Sequence, residues 1–139
     1  LDAMGIDFIE GGWPGSNPKD DEFFSRAQGL QLTTSKIVAF GSTHRADARP
    51  AEDFFLQKLI AAKADVTCIF GKSWDLHVEQ ALRISADANL NMIAGSIAHL
   101  REATSKPVSA VIQATRLRRC RLQKMQAPVA LFCAIPTVA

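Results

Sequence analysis

One pattern occurs three times in this chain: a short apolar strand ends in glycine, and a cluster of reactive or polar side chains follows. The predicted strands are Gly5 to Glu10, Ile37 to Phe40 and Val66 to Phe70. The first apolar residues of these strands, Ile6, Ile37 and Val66, lie 31 and 29 residues apart, which is close to the length of one βαβ unit. The spacing therefore predicts an α/β fold built from consecutive βα units.

The clusters after the strands indicate where a binding site should lie. Gly-Gly-Trp-Pro-Gly-Ser-Asn follows the first strand, Gly-Ser-Thr-His-Arg the second, and Gly-Lys-Ser-Trp-Asp-Leu-His the third. In parallel α/β folds, ligands bind at the carboxyl ends of the strands. Polar chemistry after three successive strands therefore predicts a site at that edge of the sheet.

Helices are predicted between the strands from their start signals and apolar stripes. Asn17 is a good N-cap before Pro18, and Pro50 precedes acidic Glu52 and Asp53 in the same manner. The third helix is predicted to start after Ser73 or Asp75. The predicted buried stripes are Phe23, Ala27 and Leu30; Phe55, Leu59 and Ala62; and Leu90, Ile93, Ile97 and Leu100. Strands without polar alternation favour a parallel sheet covered on both faces.

Size and composition restrict the protein class. With 139 residues, of which 47% are hydrophobic and 22% charged, one globular domain is expected. No apolar run is long enough for a membrane span, and no signal peptide is recognisable, so we expect a cytoplasmic protein with no membrane partner. Three widely spaced cysteines without a CxxC pair favour free thiols over disulfides or a zinc site.

The charge changes sign along the chain. The net charge is −4 through residue 103 and +6 from residue 104 onward, where no acidic residue occurs. Residues 108–139 also lose the βα pattern, so we predict a domain at 1–107 and an irregular basic tail at 108–139. The arginines between Arg116 and Arg121 have no aromatic neighbour for base stacking, and no nucleic-acid partner is predicted.

Three motifs carry a family resemblance: IEGGWPGSNPKD (Ile9 to Asp20), AFGSTHR (Ala39 to Arg45) and FGKSWDLHV (Phe70 to Val78). Together they resemble the citramalate synthase branch of the 2-isopropylmalate and homocitrate synthase family, over about residues 1–107. The resemblance implies a partial TIM barrel that comprises roughly strands two to four with their helices.

The resemblance also implies a reaction. The family condenses acetyl-CoA, as co-substrate, with a 2-oxo acid in a Claisen-type reaction; for this branch the acceptor is pyruvate and the product, citramalate, feeds isoleucine synthesis. A divalent metal that polarises the keto oxygen and a homodimeric parent enzyme are implied as well. The metal ligands of the family, an aspartate after strand one and an HxH pair, have no counterpart here, so no metal-binding residue is predicted.

Family motifs assign candidate residues after the first two strands. Glu10 matches the glutamate that lines the substrate pocket, and it is a candidate catalytic residue; capping of the following turn is the alternative. Ser42 and Arg45 are candidate substrate-binding residues, since Arg45 can pair with a carboxylate or phosphate. His44, where relatives often have arginine, is predicted to be a solvated loop residue.

Candidates after the third strand resemble the Ser-Asp-x-His element of the family. Lys72, Ser73 and Asp75 are candidate substrate-binding residues, although Ser73 and Asp75 also suit a helix start. His77 is a candidate catalytic residue for acid–base work. Trp13 and Trp74 are interpreted as lid or core packing, and His99 as a surface or interface residue.

A change of reading frame would explain the tail. If each codon is read from the third base of the present one, permitted codons for residues 133–139 encode Cys-Asp-Thr-Asn-Gly-Gly, which resembles the strand-six motif of the family. We therefore expect residues from about Val108 onward to be a frameshifted translation.

Three functions follow as alternatives. The first is a citramalate synthase segment that is inactive by itself, because three βα units cannot close an eight-stranded barrel. The second is a 2-isopropylmalate synthase-like enzyme of leucine biosynthesis that uses another 2-oxo acid. The third is a non-catalytic α/β binding module with a basic tail.

Overall fold

The computed structural model describes residues 1–72 and 74–112, in which strands and helices alternate. The elements are β1 (Phe8–Glu10), α1 (Pro18–Ala27), β2 (Lys36–Ser42), α2 (Phe54–Ala61), β3 (Val66–Gly71), α3 (Asp75–His77), α4 (Ala86–Thr104) and β4 (Val108–Ile112). Short 3₁₀ turns cover Asp2–Met4 and Pro50–Glu52, and a π-helical segment covers Val78–Leu82. The α/β class predicted from the sequence is confirmed.

The described strands form one parallel sheet in the order β1-β2-β3-β4. Ile9 pairs with Ile37, and Val38 pairs with Val66, so each strand lies beside the next one in the chain. Parallel neighbours need a crossover connection, and the helices between the strands supply it. All carboxyl ends therefore meet at one edge of the sheet.

The helices of the described residues pack against one face of this sheet. The core cluster combines side chains from the strands with side chains from α1, α2 and α4: Phe24, Ile37, Ala39, Leu56, Leu59, Ile69, Ile93, Ile97 and Leu100. Ile37 and Ala39 are two residues apart in β2 and point to the same face, as the two-residue period of a strand requires. The sequence pattern suggested cover on both faces, whereas the described helices cover only this one.

Glycine at the strand ends lets the helices approach the sheet closely. A Cβ atom on Gly41 would lie 2.7 Å from Cδ1 of Leu59 in α2, and one on Gly71 would lie 3.0 Å from Cγ1 of Ile93 in α4. A Cβ on Gly11 would overlap the ring of Phe23. The glycine that recurs in the sequence pattern thus faces the helices, which turns the residue before each glycine to the other face of the sheet.

The predicted start of α1 is confirmed, whereas α2 starts later than predicted, because Pro50–Glu52 form a separate 3₁₀ turn and Asp53 precedes the helix instead of lying in its first turn. The side chain of Asn17 accepts a hydrogen bond from the backbone N–H of Asp20 and caps α1, with Pro18 as first helical residue. Asp53 caps α2 by accepting from the backbone N–H groups of Phe55 and Leu56. These side chains satisfy amide donors that have no partner inside the helix.

Three details of the predicted helices are wrong. Leu30 is 55% exposed because α1 ends at Ala27, and Phe24 is the buried residue of this helix. Phe55 is only partly buried, and Leu56 takes its place in the core. The third helix is divided, because Ser85 caps a new helix, α4, after α3 and the π-helical segment.

β4 occupies the first five residues of the predicted tail. It pairs with β3 in parallel register, with Ile69 opposite Ala110. Residues 113–139, which include the arginine cluster, lie outside the described residues. The division at residue 107 and the frameshift therefore stay predictions.

Asp2 joins the start of the chain to the approach to β2. Its carboxylate accepts hydrogen bonds from the backbone N–H groups of Thr33, Thr34 and Ser35 and from the hydroxyl of Thr33, at 2.7 to 3.0 Å. These donors hold the pKa of Asp2 well below its ordinary value.

Over the described ranges, no helix is both long and apolar enough to cross a membrane.

Replacing Gly41 with alanine should lower the free energy of unfolding by about 1–3 kcal/mol, because the added methyl group overlaps buried Leu59. The measurement is urea denaturation at low protein concentration. Gly29→Ala is the control, since only the carbonyl oxygen of Arg26 lies near its Cβ position, at 3.8 Å. Equal stability of the two variants would contradict the close approach of α2 to the sheet.

The low pKa of Asp2 predicts how stability depends on pH. Because the folded-state pKa lies below the unfolded one, Asp2 stabilises the fold fully at neutral pH, and this contribution is lost as pH falls from about 5 toward 2. Asp2→Asn should therefore be less stable than the parent at pH 7 and lose less stability on acidification.

Chemical denaturation at several pH values measures the effect. Asp7→Asn is the control, because the exposed Asp7 carboxylate makes no hydrogen bond within the described residues. A variant at Asp2 that keeps the full pH dependence of the parent would rule out this role.

Candidate functional site

Glu10 and Ser42 lie on the sheet face opposite the helices. Ile9 packs against the core cluster and Gly41 faces Leu59, so the next residue of each strand points the other way. Both side chains stand at the carboxyl ends of their strands. The structure thus brings these two candidates to the same edge and the same face.

Aromatic side chains pack against one another at this edge of the sheet. The rings of Phe40 and Phe70 are stacked with centroids 5.6 Å apart and planes inclined by 8°. Trp13 packs edge-on against both rings, at 6.0 and 5.9 Å, and also against Phe55 at the start of α2. Trp13 is therefore a packing residue that joins the loop after β1 to β2 and β3, as one of its two interpretations required.

Cys68 lies on the same face as Glu10. Burial raises the pKa of this free thiol, and the negative charge of Glu10 raises the same pKa further. The thiol is therefore a neutral, poorly nucleophilic group at neutral pH. Glu10 itself is exposed and accepts no hydrogen bond from the described residues, so its carboxylate is free to meet a ligand.

Arg45 is held by a neighbour. Its guanidinium donates from Nε and Nη2 to the two carboxylate oxygens of Asp47, at 3.0 and 2.5 Å. This pair raises the pKa of Arg45 and lowers that of Asp47, and both side chains are mostly exposed. To bind a substrate carboxylate, Arg45 would have to exchange Asp47 for it.

Candidates after β3 lie in a loop and a short helix. Lys72 is partly buried, Ser73 lies outside the described residues, and Asp75 and His77 are exposed in α3. The ring of His77 packs on Trp74 with centroids 4.5 Å apart, and Trp74 remains 48% exposed. Among the described residues, no hydrogen bond or ion pair joins two of the predicted site residues to each other.

Acidic residues of α1 organise the loop after β1. Asp20 accepts a hydrogen bond from the backbone N–H of Trp13, and Asp21 accepts one from Gly15. Lys58 of α2 donates to Asp21 at 2.9 Å, and this contact lowers the pKa of the Asp21 carboxyl group. The acidic side chains at the start of α1 thus also fix the loop that carries Trp13.

Two other predictions need correction or refinement. His44, predicted as a solvated loop residue, is partly buried, and its backbone N–H donates to Ser96 of α4. His99, predicted at a surface or interface, is partly buried, and its Nε2 has no hydrogen-bond partner in the part of the chain that the structure describes.

Sequence reasoning missed the buried polar residues behind the site. Asp53 is 2% exposed and accepts a hydrogen bond from the backbone N–H of Arg45, in addition to capping α2. Asn89 donates from Nδ2 to the carbonyl oxygen of Lys72, and Ser96 accepts from His44. The sequence signal that could have revealed two of them is the seven-residue spacing of Asn89 and Ser96 among the apolar residues of α4.

A groove lies at the other end of the sheet. It encloses about 700 Å³ at the amino ends of the strands, where Lys36, Ile37, Asp65 and Pro107 line it. None of the predicted site residues belongs to it. We place the candidate site at the carboxyl edge, because the polar clusters of three strands meet there.

A metal site is not formed by the described residues. No group of three or more histidine, cysteine, aspartate or glutamate side chains within residues 1–72 and 74–112 could hold a metal ion. The divalent metal implied by the resemblance therefore does not fit this set of side chains, and no reaction step is assigned to it below.

Comparison with known proteins gives a consistent result. No protein-family profile matches the chain. The chain is 54% identical over 101 residues to the (R)-citramalate synthase of Geobacter sulfurreducens, 48% identical over 101 residues to that of Sulfolobus acidocaldarius, and 50% identical over 102 residues to that of Streptomyces coelicolor. Each match covers 73% of this chain and 19% of the relative, so the chain corresponds to about a fifth of the length of these relatives.

Proposed function

The chain belongs, over 73% of its length, to the (R)-citramalate synthase family, and we propose that it forms part of an acyltransferase that condenses acetyl-CoA with pyruvate to citramalate. The observation that carries this proposal is the identity of 48–54% to five relatives that share this name. At this level of identity the motifs after the strands are expected to keep their chemistry.

The topology supports a partial TIM barrel. In such a barrel, consecutive parallel strands lie side by side and the helices form an outer layer. The order β1-β2-β3-β4 and the single helix-covered face agree with this arrangement. A doubly wound sheet would instead have helices on both faces and a reversal of strand order. The face that bears Glu10 then corresponds to the inside of the barrel.

The proposed reaction assigns a role to each catalytic candidate. A base removes a methyl proton from acetyl-CoA, the resulting carbanion attacks the keto carbon of pyruvate, and the new alkoxide takes up a proton; water then hydrolyses the thioester and releases CoA. His77 is proposed for proton transfer, because it is exposed in α3, just after β3. Glu10 is proposed to line the pocket and orient the reacting groups.

Substrate binding is proposed for the remaining candidates. Ser42 and Lys72 are close to the carboxyl ends of β2 and β3, and Asp75 begins α3. Arg45 is proposed to bind a carboxylate or a phosphate of CoA after release from Asp47. Ser73 keeps its proposed role from the sequence motif. The divalent metal, the homodimer and the cytoplasmic location stay predictions from the resemblance.

A chimeric enzyme tests the proposal. Residues 1–107 replace the matching segment of the Geobacter sulfurreducens relative, and thiol release from acetyl-CoA is measured with pyruvate or 2-oxoisovalerate as acceptor. We expect the chimera to use pyruvate. The isolated 139-residue chain should release no thiol above the blank, since its few βα units cannot close a barrel.

Other outcomes discriminate the alternatives. Preference of the chimera for 2-oxoisovalerate would favour the 2-isopropylmalate synthase-like function. A folded but inactive chimera would contradict the proposed function. Thiol release by the isolated chain would contradict the proposed need for the rest of the barrel.

Replacing Glu10 with glutamine in the chimera should lower kcat by at least about 100-fold, because the variant keeps the shape of the side chain and removes its charge. Glu22→Gln is the matched control, since Glu22 is an exposed residue of α1 paired with Arg26. Steady-state kinetics of both variants give the comparison. An unchanged kcat for the Glu10 variant would remove this residue from the site.

A further inference from the structure

Helix α4 carries two polar side chains on its buried face. Asn89 is 1% exposed and Ser96 is completely buried, among Met92, Ile93 and Ile97. The two positions are seven residues apart, so they lie on the same side of the helix and about 10 Å apart along its axis. Polar groups in such surroundings are normally hydrogen-bonded, and their partners indicate what they do.

Each of the two side chains holds a different loop of the candidate site. Ser96 Oγ accepts a hydrogen bond of 3.0 Å from the backbone N–H of His44, in the loop after β2, and donates to the carbonyl oxygen of Met92. Asn89 Nδ2 donates a hydrogen bond of 2.7 Å to the carbonyl oxygen of Lys72, in the loop after β3. The loops belong to separate strands, but both are attached to one rigid helix.

We propose that Asn89 and Ser96 are positioning residues, and that α4 sets the spacing between the two ligand-binding loops. Ser96 then orients Ser42 and Arg45 through the backbone of His44. Asn89 orients Lys72, just after the end of β3, through its carbonyl group. The identity of the ligand rests on the proposed function, whereas the two contacts do not.

The contact made by Asn89 favours positioning over general stabilisation. Its Oδ1 atom is buried without a hydrogen-bond partner among the described residues. A buried acceptor without a donor is unfavourable, and a leucine of similar volume would avoid it. The amide is therefore a poor choice for core packing and a suitable one for fixing the Lys72 carbonyl group.

A matched pair of substitutions tests Ser96 in the full 139-residue chain. Ser96→Thr keeps the hydroxyl acceptor. Ser96→Val introduces a side chain with nearly the shape of threonine but without the hydroxyl group. Amide hydrogen exchange followed by NMR should show the His44 amide exchanging at least about fivefold faster in the valine variant than in the threonine variant. The amides of Ala39 and Ile69 in the sheet should exchange alike in both variants.

Asn89 is tested through the loop that it holds. With 5-fluorotryptophan incorporated, Trp74 and Trp13 give separate ¹⁹F signals, which Trp74→Phe assigns. Asn89→Leu should shift or broaden the Trp74 signal and leave that of Trp13 in place, whereas Ser96→Val should leave the Trp74 signal unchanged.

These readouts separate the positioning role from the enzymatic proposal, because they require no substrate. Equal exchange of the His44 amide in the two Ser96 variants would overturn the proposal. So would an unmoved Trp74 signal in the Asn89→Leu variant. If the amides of Ala39, Ile69 and His44 all exchanged faster by the same factor, the variant would have lost global stability, and this result would also overturn the positioning role.

Discussion

Close packing of helices against glycine at the strand ends is the constraint on which the rest of this structure depends. Gly41 accommodates Leu59, and Gly71 accommodates Ile93, where any larger residue would meet the helix side chain. Because side chains alternate along a strand, a glycine that faces the helices turns Ser42 and Phe70 to the other face. The contacts that bury the core therefore also direct the side chains of the site to the opposite face of the sheet.

The site is organised from behind by buried polar groups. Asp53 holds the backbone of Arg45, and Ser96 and Asn89 hold the loops after β2 and β3. On the sheet face opposite the helices, Trp13, Phe40 and Phe70 provide apolar contacts. Loops that carry ligand-binding residues are usually mobile, and anchors of this kind reduce the number of conformations available to them.

Much of this arrangement could be predicted, for identifiable reasons. The strand spacing, the cap at Asn17 and the parallel sheet follow from local signals that act within a few residues. Phe24 is buried while Phe23 is only partly buried against the core, and this difference depends on contacts between α1 and distant parts of the chain. The break in the predicted third helix depends on Ser85, which caps α4. The sequence pattern did not reveal this break, because Ser85 precedes a long stripe of apolar residues at helical spacing. β4 lies where the family motif is missing, and its pairing with β3 defines it.

The sequence by itself determined the order of the elements, the family and the side chains available at the carboxyl edge, because these depend on local pattern and motif. Only the tertiary structure decided which of those side chains are free. Arg45 is paired with Asp47, His77 packs on Trp74, and Glu10 remains available. Likewise, the roles of Asn89 and Ser96 arise from contacts across 17 and 52 residues of chain, which no local pattern specifies.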